Sequence, residues 1–242
     1  VSGRKMFCSQ APRGDVLVTT AVAGDAGDEG EVLTFTVPMS ADGMRIIETW
    51  DTLGMRGTAS HDVELSDVLV PDERIVARRP WGRFDGPLIA AAIHFMPTAA
   101  AVYHGIAAGA RDEAVRLIAG KRRGHDPMET LPPVHRQVGL MDFKLRTSWW
   151  ALMGALDEIG DDYGADAETM NTVNLAKRAV VVDAVEVVDI AMETAGGPSY
   201  YNRTGLPRAY RDVRAGKYHP FTPEATLYYA GRVALGGPAD VE

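Results

Sequence analysis

The most constraining feature of the sequence is a helix-length segment in which apolar and acidic residues occupy opposite sides. Apolar residues recur at steps of three and four positions, at Val173, Ala176, Val180, Ala184, Val187 and Ala191. Acidic residues at 183, 186, 189 and 193 fall on the other side. This period is typical of an amphipathic α-helix, and the following Gly196 and Gly197 are typical of a helix C-terminus. Such a helix has to bury its apolar side against other helices.

Helical spacing runs through most of the second half of the chain. The predicted helices are an Ala-rich segment at 87–121 bent at Pro97, a second from Pro132 and Pro133, the striped segment ending before Gly196, a short one at 206–215, and a last one capped by Thr222. Long helices that are joined by short loops form antiparallel bundles. We therefore predict an antiparallel four-helix bundle over residues 81–242.

The first eighty residues have the two-residue period of β-strands. Strand-like runs occupy 15–22, 31–37 and 61–70, and the acidic, Gly-rich segment 24–30 is typical of a hairpin loop. Several short strands with Gly or Pro turns favour a small antiparallel β-barrel or sandwich. The predicted fold class is thus α+β, with a β-domain at 1–80 followed by the bundle at 81–242.

Composition excludes several classes of function. A net charge of −8 disfavours nucleic acid as a partner, because nucleic acid prefers a basic surface. The six histidines lack Cys or His partners at ligand spacing, so we expect no metal site. The single cysteine, Cys8, suits a reducing compartment, and no apolar run reaches the length of a membrane span. These features predict a cytoplasmic protein with no membrane span.

Three segments carry a family resemblance. Residues 50–75 read WDTLGMRGTASHDVELSDVLVPDERI, a Gly-punctuated turn that leads into a strand closed by Pro71. Residues 1–10 read VSGRKMFCSQ, and residues 193–214 read ETAGGPSYYNRTGLPRAYRDVR. Together they resemble the acyl-CoA dehydrogenase family, which carries a GMRG-S/T turn, a G-x-K-x-W/F-I-T/S strand and a Gly-Gly segment before an Arg-Asp pair. The matches follow the family's order and cover nearly the whole chain.

The resemblance implies a flavoprotein of three domains: an N-terminal helical domain, a β-domain and a four-helix bundle. It implies FAD as cofactor, an acyl-CoA thioester as substrate, an electron-acceptor flavoprotein or oxygen as partner, and a homo-oligomer, either dimer or tetramer. The first residue is Val rather than Met, and the family's helical domain would precede it. We therefore expect a further N-terminal portion, without which tight FAD binding is not expected.

Carried over by position, the resemblance also implies a set of cofactor-binding residues. Phe7 falls where an aromatic ring packs on the flavin, and Ser9 falls where a hydroxyl bonds near N5. Gly196 and Gly197 fall where paired glycines let the backbone approach FAD from a neighbouring subunit. Glu193 replaces the family's Gln, and its carboxylate would repel a pyrophosphate.

Two further segments admit both a cofactor role and a structural one. Thr222 aligns with the Thr that follows the family's catalytic loop, and it also suits a helix N-cap. The turn from Arg56 to His61 would shape the wall beside the flavin, or its side chains would satisfy backbone groups within the turn. The sequence leaves both alternatives open at each place.

The catalytic base is where this chain departs from the family. The family's reaction needs a carboxylate that removes a proton, yet the expected position, nine residues after Arg211, is Pro220. A second family location, on the first bundle helix, reads AAIHFMPTA and again lacks a carboxylate, so His94 and His219 are the nearest ionisable groups. The sequence then allows a dehydrogenase that uses His219 or Glu224, a flavin monooxygenase of the same fold, or a catalytically silent subunit.

Overall fold

A computed structural model of the chain describes residues 1–24, 30–82 and 86–237. The described residues divide into two compact units, one over Val1–Pro87 and one from Leu88 to residue 237. The first unit is built from β-strands and the second from α-helices, as the change of sequence period predicts.

Within the described residues, the first unit contains two antiparallel sheets of three strands each. The strands are β1 (Gly3–Cys8), β2 (Val16–Ala23), β3 (Glu31–Pro38), β4 (Met44–Ile47), β5 (His61–Leu65) and β6 (Ile75–Pro80). One sheet has the order β1-β5-β4 and the other the order β2-β3-β6. Phe35 and Val37 from β3 share one buried core with Val63 and Leu65 from β5, so both sheets contribute to it. This arrangement confirms the predicted antiparallel β-fold.

The strands differ from the prediction in three places. Strands β4 and β6 were not predicted. Their sequence signal is weak, because β4 has only four residues and β6 contains Arg78 and Arg79. The predicted strand over 61–70 ends at Leu65, because Asp67 takes a left-handed backbone with φ of 52°. The predicted hairpin loop at 24–30 lies mostly outside the described residues, which omit 25–29.

The described part of the second unit contains five α-helices, one in each of the predicted segments. They are α1 (Gly86–Ile118), α2 (Pro132–Ile159), α3 (Ala167–Ala195), α4 (Leu206–Val213) and α5 (Pro223–Ala234), and a two-strand ribbon of β7 (Arg122–Arg123) and β8 (Asp126–Pro127) follows α1. Helix α1 continues through Pro97. Helix α3 begins before its apolar stripe because Asp166 caps it, accepting a hydrogen bond from the Thr169 amide at 2.9 Å.

Helix α3 is the central helix of the second unit. All six apolar residues of its predicted stripe are buried, and the five from Ala176 to Ala191 belong to apolar clusters shared with α1 and α2. The opposite acidic side is paired with cations rather than only solvated. Lys144 on α2 lies 2.9 Å from Asp183 and 2.5 Å from Glu186, and Arg214 lies 2.5 Å from Asp189.

Helix α1 is long and apolar enough to cross a membrane by length and composition alone. Core helices of soluble proteins meet the same criterion, and ten residues of α1 are buried within the described structure. Ala100, Tyr103 and Ala107 are among them and belong to the apolar clusters of the bundle. We therefore treat α1 as a helix of the bundle.

The shared core of the two sheets gives a stability prediction. Phe35 is 1% exposed between the sheets, so Phe35→Ala should lower the free energy of unfolding of the first unit by about 3–5 kcal/mol. Val18→Ala is the control: Val18 is 64% exposed on β2, and its truncation should change that free energy by less than about 0.5 kcal/mol. Chemical denaturation measures both, and equal effects of the two substitutions would contradict a core located between the sheets.

Candidate functional site

Backbone strain in the first unit is concentrated in two segments that bond to each other. Four of the five described non-glycine residues with left-handed φ angles lie in these segments: Phe7 at 59°, Gln10 at 60°, Met55 at 54° and Ala59 at 43°. The amide of Gln10 donates to the Thr58 carbonyl at 2.8 Å, which joins the two segments. Such strain is costly and is found mainly at functional sites. We call these two segments, residues 7–10 and 55–60, the strained wall.

Phe7 lies on the surface of the strained wall. The pairing of β1 with β5 shifts register between Lys5 and Cys8, which is a β-bulge that contains Phe7. The Phe7 ring is 70% exposed and meets Trp50 edge-on, with ring centroids 6.1 Å apart. An exposed aromatic ring held in this way presents apolar area to a flat ligand.

Ser9 ends a chain of hydroxyl groups with a fixed direction. The Ser9 and Ser60 oxygens are 3.0 Å apart, Ser60 and Thr58 oxygens are 2.8 Å apart, and the Thr58 hydroxyl donates to the Met55 carbonyl at 2.9 Å. A carbonyl oxygen can only accept, and each hydroxyl has one hydrogen to give. In this chain Thr58 therefore receives from Ser60 and Ser60 receives from Ser9. Ser9 is left with lone pairs that accept a hydrogen bond from a ligand N–H.

Arg56 and His61 satisfy backbone groups of the turn, as one of the two sequence alternatives proposed. The Arg56 Nε donates to the Thr52 carbonyl at 2.8 Å. The His61 Nδ1 accepts from the amides of Thr49 at 3.0 Å and Trp50 at 3.1 Å, which places the ring hydrogen on Nε2. Both side chains thus stabilise the strained wall from within the first unit.

His219 lies half-buried in an aromatic environment of the second unit. Its ring centroid is 5.6 Å from that of Phe95 and 5.7 Å from that of Tyr103, both on α1. Its Nε2 lies 2.7 Å from the Tyr103 hydroxyl. Burial, together with the positive charge of Lys177, lowers the pKa of His219, so the imidazole is neutral at pH 7. A neutral imidazole in apolar surroundings can accept a proton.

Tyr103 is fixed beneath His219 by close packing. It is 1% exposed, and burial, reinforced by the negative charge of Asp212, raises the pKa of Tyr103 to about 12. Its hydroxyl therefore stays protonated at ordinary pH. A side chain added at Gly216 would come within 3.1 Å of both the Tyr103 ring and Val181, which explains a glycine there.

The backbone around His219 is held by two consecutive basic residues of α3. Lys177 is fully buried, and its ammonium donates to the carbonyls of His219 at 2.8 Å and Phe221 at 2.7 Å. Next to it, the Arg178 Nε donates to the Pro223 carbonyl at 3.1 Å. Burial lowers the pKa of Lys177 to about 8, so the side chain remains mostly charged at pH 7. We call residues 219–223 the clamped loop.

Two other predicted residues, Thr222 within the clamped loop and Glu224 directly after it, lie outside the aromatic environment. Thr222 caps α5, since its Oγ1 accepts from the Ala225 amide at 3.3 Å, as the structural alternative predicted. Glu224 lies exposed in the first turn of α5. His94 is also exposed, with Nδ1 2.7 Å from the Ala90 carbonyl and Nε2 2.9 Å from the Tyr163 hydroxyl. Glu224 and His94 are thus exposed, whereas His219 is half-buried against aromatic rings.

Glu193, Gly196 and Gly197 lie at the C-terminal end of α3. Glu193 lines an open cleft of about 810 Å³ together with Asp189 and Arg211. Gly196 ends the helix with φ of 63°, a conformation that favours glycine. Gly197 has no left-handed φ, and a side chain placed there would meet no atom of the described structure within 4 Å. The packing of the described residues therefore does not require a glycine at 197, while close approach of an outside group would.

Sequence reasoning missed Lys177, Tyr103 and the Thr58–Ser60 hydroxyl chain. A signal for Lys177 was present, because it lies four residues after Val173 and so on the apolar side of α3. A lysine on a buried helix side is rare enough to mark a site. The partnership of Tyr103 with His219 spans 116 residues and leaves no local pattern.

Comparison with known proteins gives the family context of both units. The profile of the acyl-CoA dehydrogenase middle domain matches residues 1–68, and that of the acyl-CoA dehydrogenase C-terminal domain matches residues 97–224. The chain is 30% identical over 230 residues to the putative acyl-CoA dehydrogenase YdbM of Bacillus subtilis, covering 94% of this chain and 58% of YdbM. It is 29% identical over 242 residues to the amino sugar nitrososynthase DnmZ of Streptomyces peucetius, covering 98% of this chain and 59% of DnmZ.

A solved structure with the same fold contains a flavin. The structure of KijD3 in complex with FMN and dTDP-3-amino-2,3,6-trideoxy-4-keto-3-methyl-D-glucose has a TM-score of 0.88 and 26% identity, and the match covers 100% of this chain and 60% of KijD3. The chain thus spans less than two thirds of the length of these relatives. A flavin cofactor, as predicted, is confirmed for relatives of this fold.

The environment of His219 predicts an unusual titration. Its folded-state pKa should lie below the value in unfolded protein, about 6.5, because burial and Lys177 disfavour the charged ring. The stability that this group contributes is complete above about pH 6.5 and is lost as the pH falls below that value, since the unfolded chain then binds the proton more readily. Histidine NMR titrations in buffer and in urea measure both values. A folded value equal to or above the urea value would contradict the assignment.

Proposed function

Because the chain belongs to the acyl-CoA dehydrogenase family, we propose that it is the middle and C-terminal part of a flavin-dependent oxygenase. The supporting observation is that the loop expected to carry a carboxylate base carries a neutral, half-buried imidazole, His219, instead. Its relatives include an enzyme named for making a nitroso group from an amino sugar. When an amine becomes a nitroso group, the nitrogen gains one oxygen and loses two N–H hydrogens, a four-electron oxidation. Such chemistry needs molecular oxygen as oxidant, a reduced flavin to activate it, and an acceptor for the N–H protons.

We assign the flavin contacts of the first unit to the strained wall. The exposed Phe7 ring would pack on the flat isoalloxazine, and Ser9 would accept a hydrogen bond from a flavin N–H. When bound, the flavin would supply two-electron transfer and reaction with oxygen. FAD is the form we propose, in keeping with the family resemblance.

The end of α3 would meet the cofactor of a neighbouring copy in a homo-oligomer. Gly197, which the described packing does not require, supports close approach of such a group. Glu193 makes the adjacent cleft partly acidic, while Asp189 in the same cleft is paired with Arg214. Arg211 also lines the cleft and would meet an anionic group there. We further propose that the protein works in the cytoplasm.

His219 is the residue that we propose as general base. Its neutral imidazole would take a proton from a nucleophilic substrate while oxygen is transferred to that substrate. The Tyr103 hydroxyl would hold the ring in place, and the Phe95 ring, which meets the imidazole edge-on, would cover one side of it. The proposed substrate class is therefore a small molecule with a nucleophilic nitrogen or a similar centre.

A second candidate is the α,β-dehydrogenation of an acyl-CoA thioester. The match to the putative acyl-CoA dehydrogenase YdbM favours it. In this reaction His219 would remove the proton from Cα while hydride leaves Cβ for the flavin, and an electron-acceptor flavoprotein would reoxidise the enzyme. Both candidates use His219 as the base. They differ in what reacts with the flavin, which is oxygen in the oxygenase and hydride from the substrate in the dehydrogenase.

The two candidates are separated by anaerobic mixing of the full-length holoenzyme with a series of acyl-CoA thioesters. We expect no loss of visible flavin absorbance, and we expect rapid oxygen consumption once a reductase supplies reduced flavin. Bleaching without oxygen would instead establish the dehydrogenase. A colourless protein that takes up neither FAD nor FMN would contradict both and would leave the silent subunit.

The assignment of the base is tested by His219→Ala and Glu224→Gln. Loss of a general base should lower turnover by about 10²–10⁴-fold, so His219→Ala should fall in that range. Glu224 is exposed and outside the aromatic environment, so Glu224→Gln should lower turnover by less than about tenfold. Steady-state oxygen consumption measures both variants. The reverse order of effects would move the base to Glu224.

The role of Gly197 is tested by Gly197→Ala. Since its added side chain meets open space, the midpoint of thermal unfolding of the flavin-free protein should stay unchanged, while the Kd for flavin should rise at least about tenfold. Gly139→Ala, also in open space but on α2, is the matched control and should leave the Kd unchanged. Flavin fluorescence titration measures the Kd, and an unaltered Kd in Gly197→Ala would exclude a cofactor contact there.

A further inference from the structure

We propose that Lys177 is a positioning residue. Its buried ammonium holds the clamped loop so that the His219 imidazole stays hydrogen-bonded to the Tyr103 hydroxyl. Lys177 touches neither imidazole nor hydroxyl in a hydrogen bond; it acts on the backbone of the residue that does. This inference rests on the proposed function for one claim, namely that His219 accepts a proton. The claim that Lys177 sets the position of His219 is independent of the proposed function.

The hydrogen bonds to the clamped loop alternate along its backbone. The Lys177 ammonium donates to the carbonyls of residues 219 and 221, and Arg178 donates to the carbonyl of residue 223. Carbonyls of alternate residues therefore point at α3. This fixes which side of the loop faces the bundle and places the His219 ring against α1, between Phe95 and Tyr103.

The burial of Lys177 argues that its role is not simply to stabilise the bundle. Among the described residues it has no carboxylate within salt-bridge distance, so backbone carbonyls alone compensate its charge. Burying a charge in this way is costly, and an apolar side chain of similar length would pack at less cost. One turn earlier on α3, Asn174 is also fully buried, and its amide makes no hydrogen bond to any described residue. Asn174 and Lys177 therefore make this part of α3 polar, and burying them lowers the free energy of unfolding of the bundle.

The charge of Lys177 also acts on the imidazole directly. The groups that face His219 from neighbouring elements are Lys177 on α3 and the Tyr103 hydroxyl on α1, while Asp212 on α4 acts on Tyr103. The positive charge of the ammonium opposes protonation of the imidazole, and its hydrogen bonds to the two loop carbonyls orient the imidazole. A single side chain thereby holds the ring in one place and adds to the effect of burial, which is the larger cause of the lowered pKa of His219.

The test is a double-mutant cycle between Lys177 and Tyr103, read at His219 by NMR titration of the histidine-labelled holoenzyme. Tyr103→Phe removes the hydroxyl and should shift the His219 titration in an otherwise native protein. In a Lys177→Met background the loop is released, so Tyr103→Phe should have no further effect. Lys177→Gln keeps an N–H donor without the charge, and there the effect of Tyr103→Phe should persist. An equal effect of Tyr103→Phe in the Lys177→Met and native backgrounds would overturn the proposal.

Matched controls separate positioning from loss of stability. Lys144→Met removes a different lysine, a partly buried one on α2 that pairs with Asp183 and Glu186 of α3 without touching the loop. It should lower the midpoint of thermal unfolding yet leave the His219 titration and its response to Tyr103→Phe unchanged. If Lys177→Met does not fold, Lys177→Gln is compared with Lys144→Met instead. A Lys177→Gln protein whose His219 ignores Tyr103→Phe, with the control unaffected, then contradicts positioning through the carbonyl bonds.

Turnover in the same variants distinguishes this inference from the proposed function. If His219 is the base, Lys177→Met should lower kcat by about tenfold or more with little change in KM. Unchanged turnover in His219→Ala together with a positive NMR cycle would refute the general base and leave the positioning role intact. A negative NMR cycle together with a large loss of turnover in His219→Ala would support the general base and refute the positioning role of Lys177.

Discussion

The geometry of the candidate site depends on a positive charge buried under a loop. Lys177 lies on the side of α3 that carries most of its apolar core residues, and the clamped loop passes over it. Because the carbonyls at 219 and 221 compensate the charge, the loop cannot move away without leaving an uncompensated ammonium in the interior. Core packing of α3 and the position of His219 are therefore set by the same helix. The end of that helix also supplies Gly196 and Gly197, so one element positions both the proposed base and the proposed contact with the cofactor of a neighbouring copy.

The first unit obtains its candidate contacts in a different way. Its two sheets form an ordinary apolar core, while the strained wall departs from regular β geometry at Phe7, Gln10, Met55 and Ala59. The departure exposes the Phe7 ring and leaves Ser9 at the end of a directed hydroxyl chain. A strand of regular alternation would have given neither feature, so the strain and the candidate chemistry have the same local origin.

Much of the fold could be predicted because it follows from local patterns. The stripe of α3, its glycine end and the Thr222 cap are each contained within a few neighbouring residues, and the structure has all three. Strands β4 and β6 were missed because their stability comes from pairing with β5 and β3 rather than from their own composition. For the site, the sequence pointed to His219 but not to what surrounds it. The contacts of His219 with Tyr103 and Lys177 span 116 and 42 residues, and such pairings are not visible in a single sequence.

The central claim is that the His219 imidazole replaces the family's carboxylate as base, and the pH dependence of kcat/KM tests it most directly. The acidic limb of that profile reports the pKa of the essential base in the free enzyme. It should coincide with the pKa of His219 measured by NMR, and it should move with that pKa when Lys177 is replaced by Gln. An acidic limb that stays in place while the pKa of His219 moves would contradict the account.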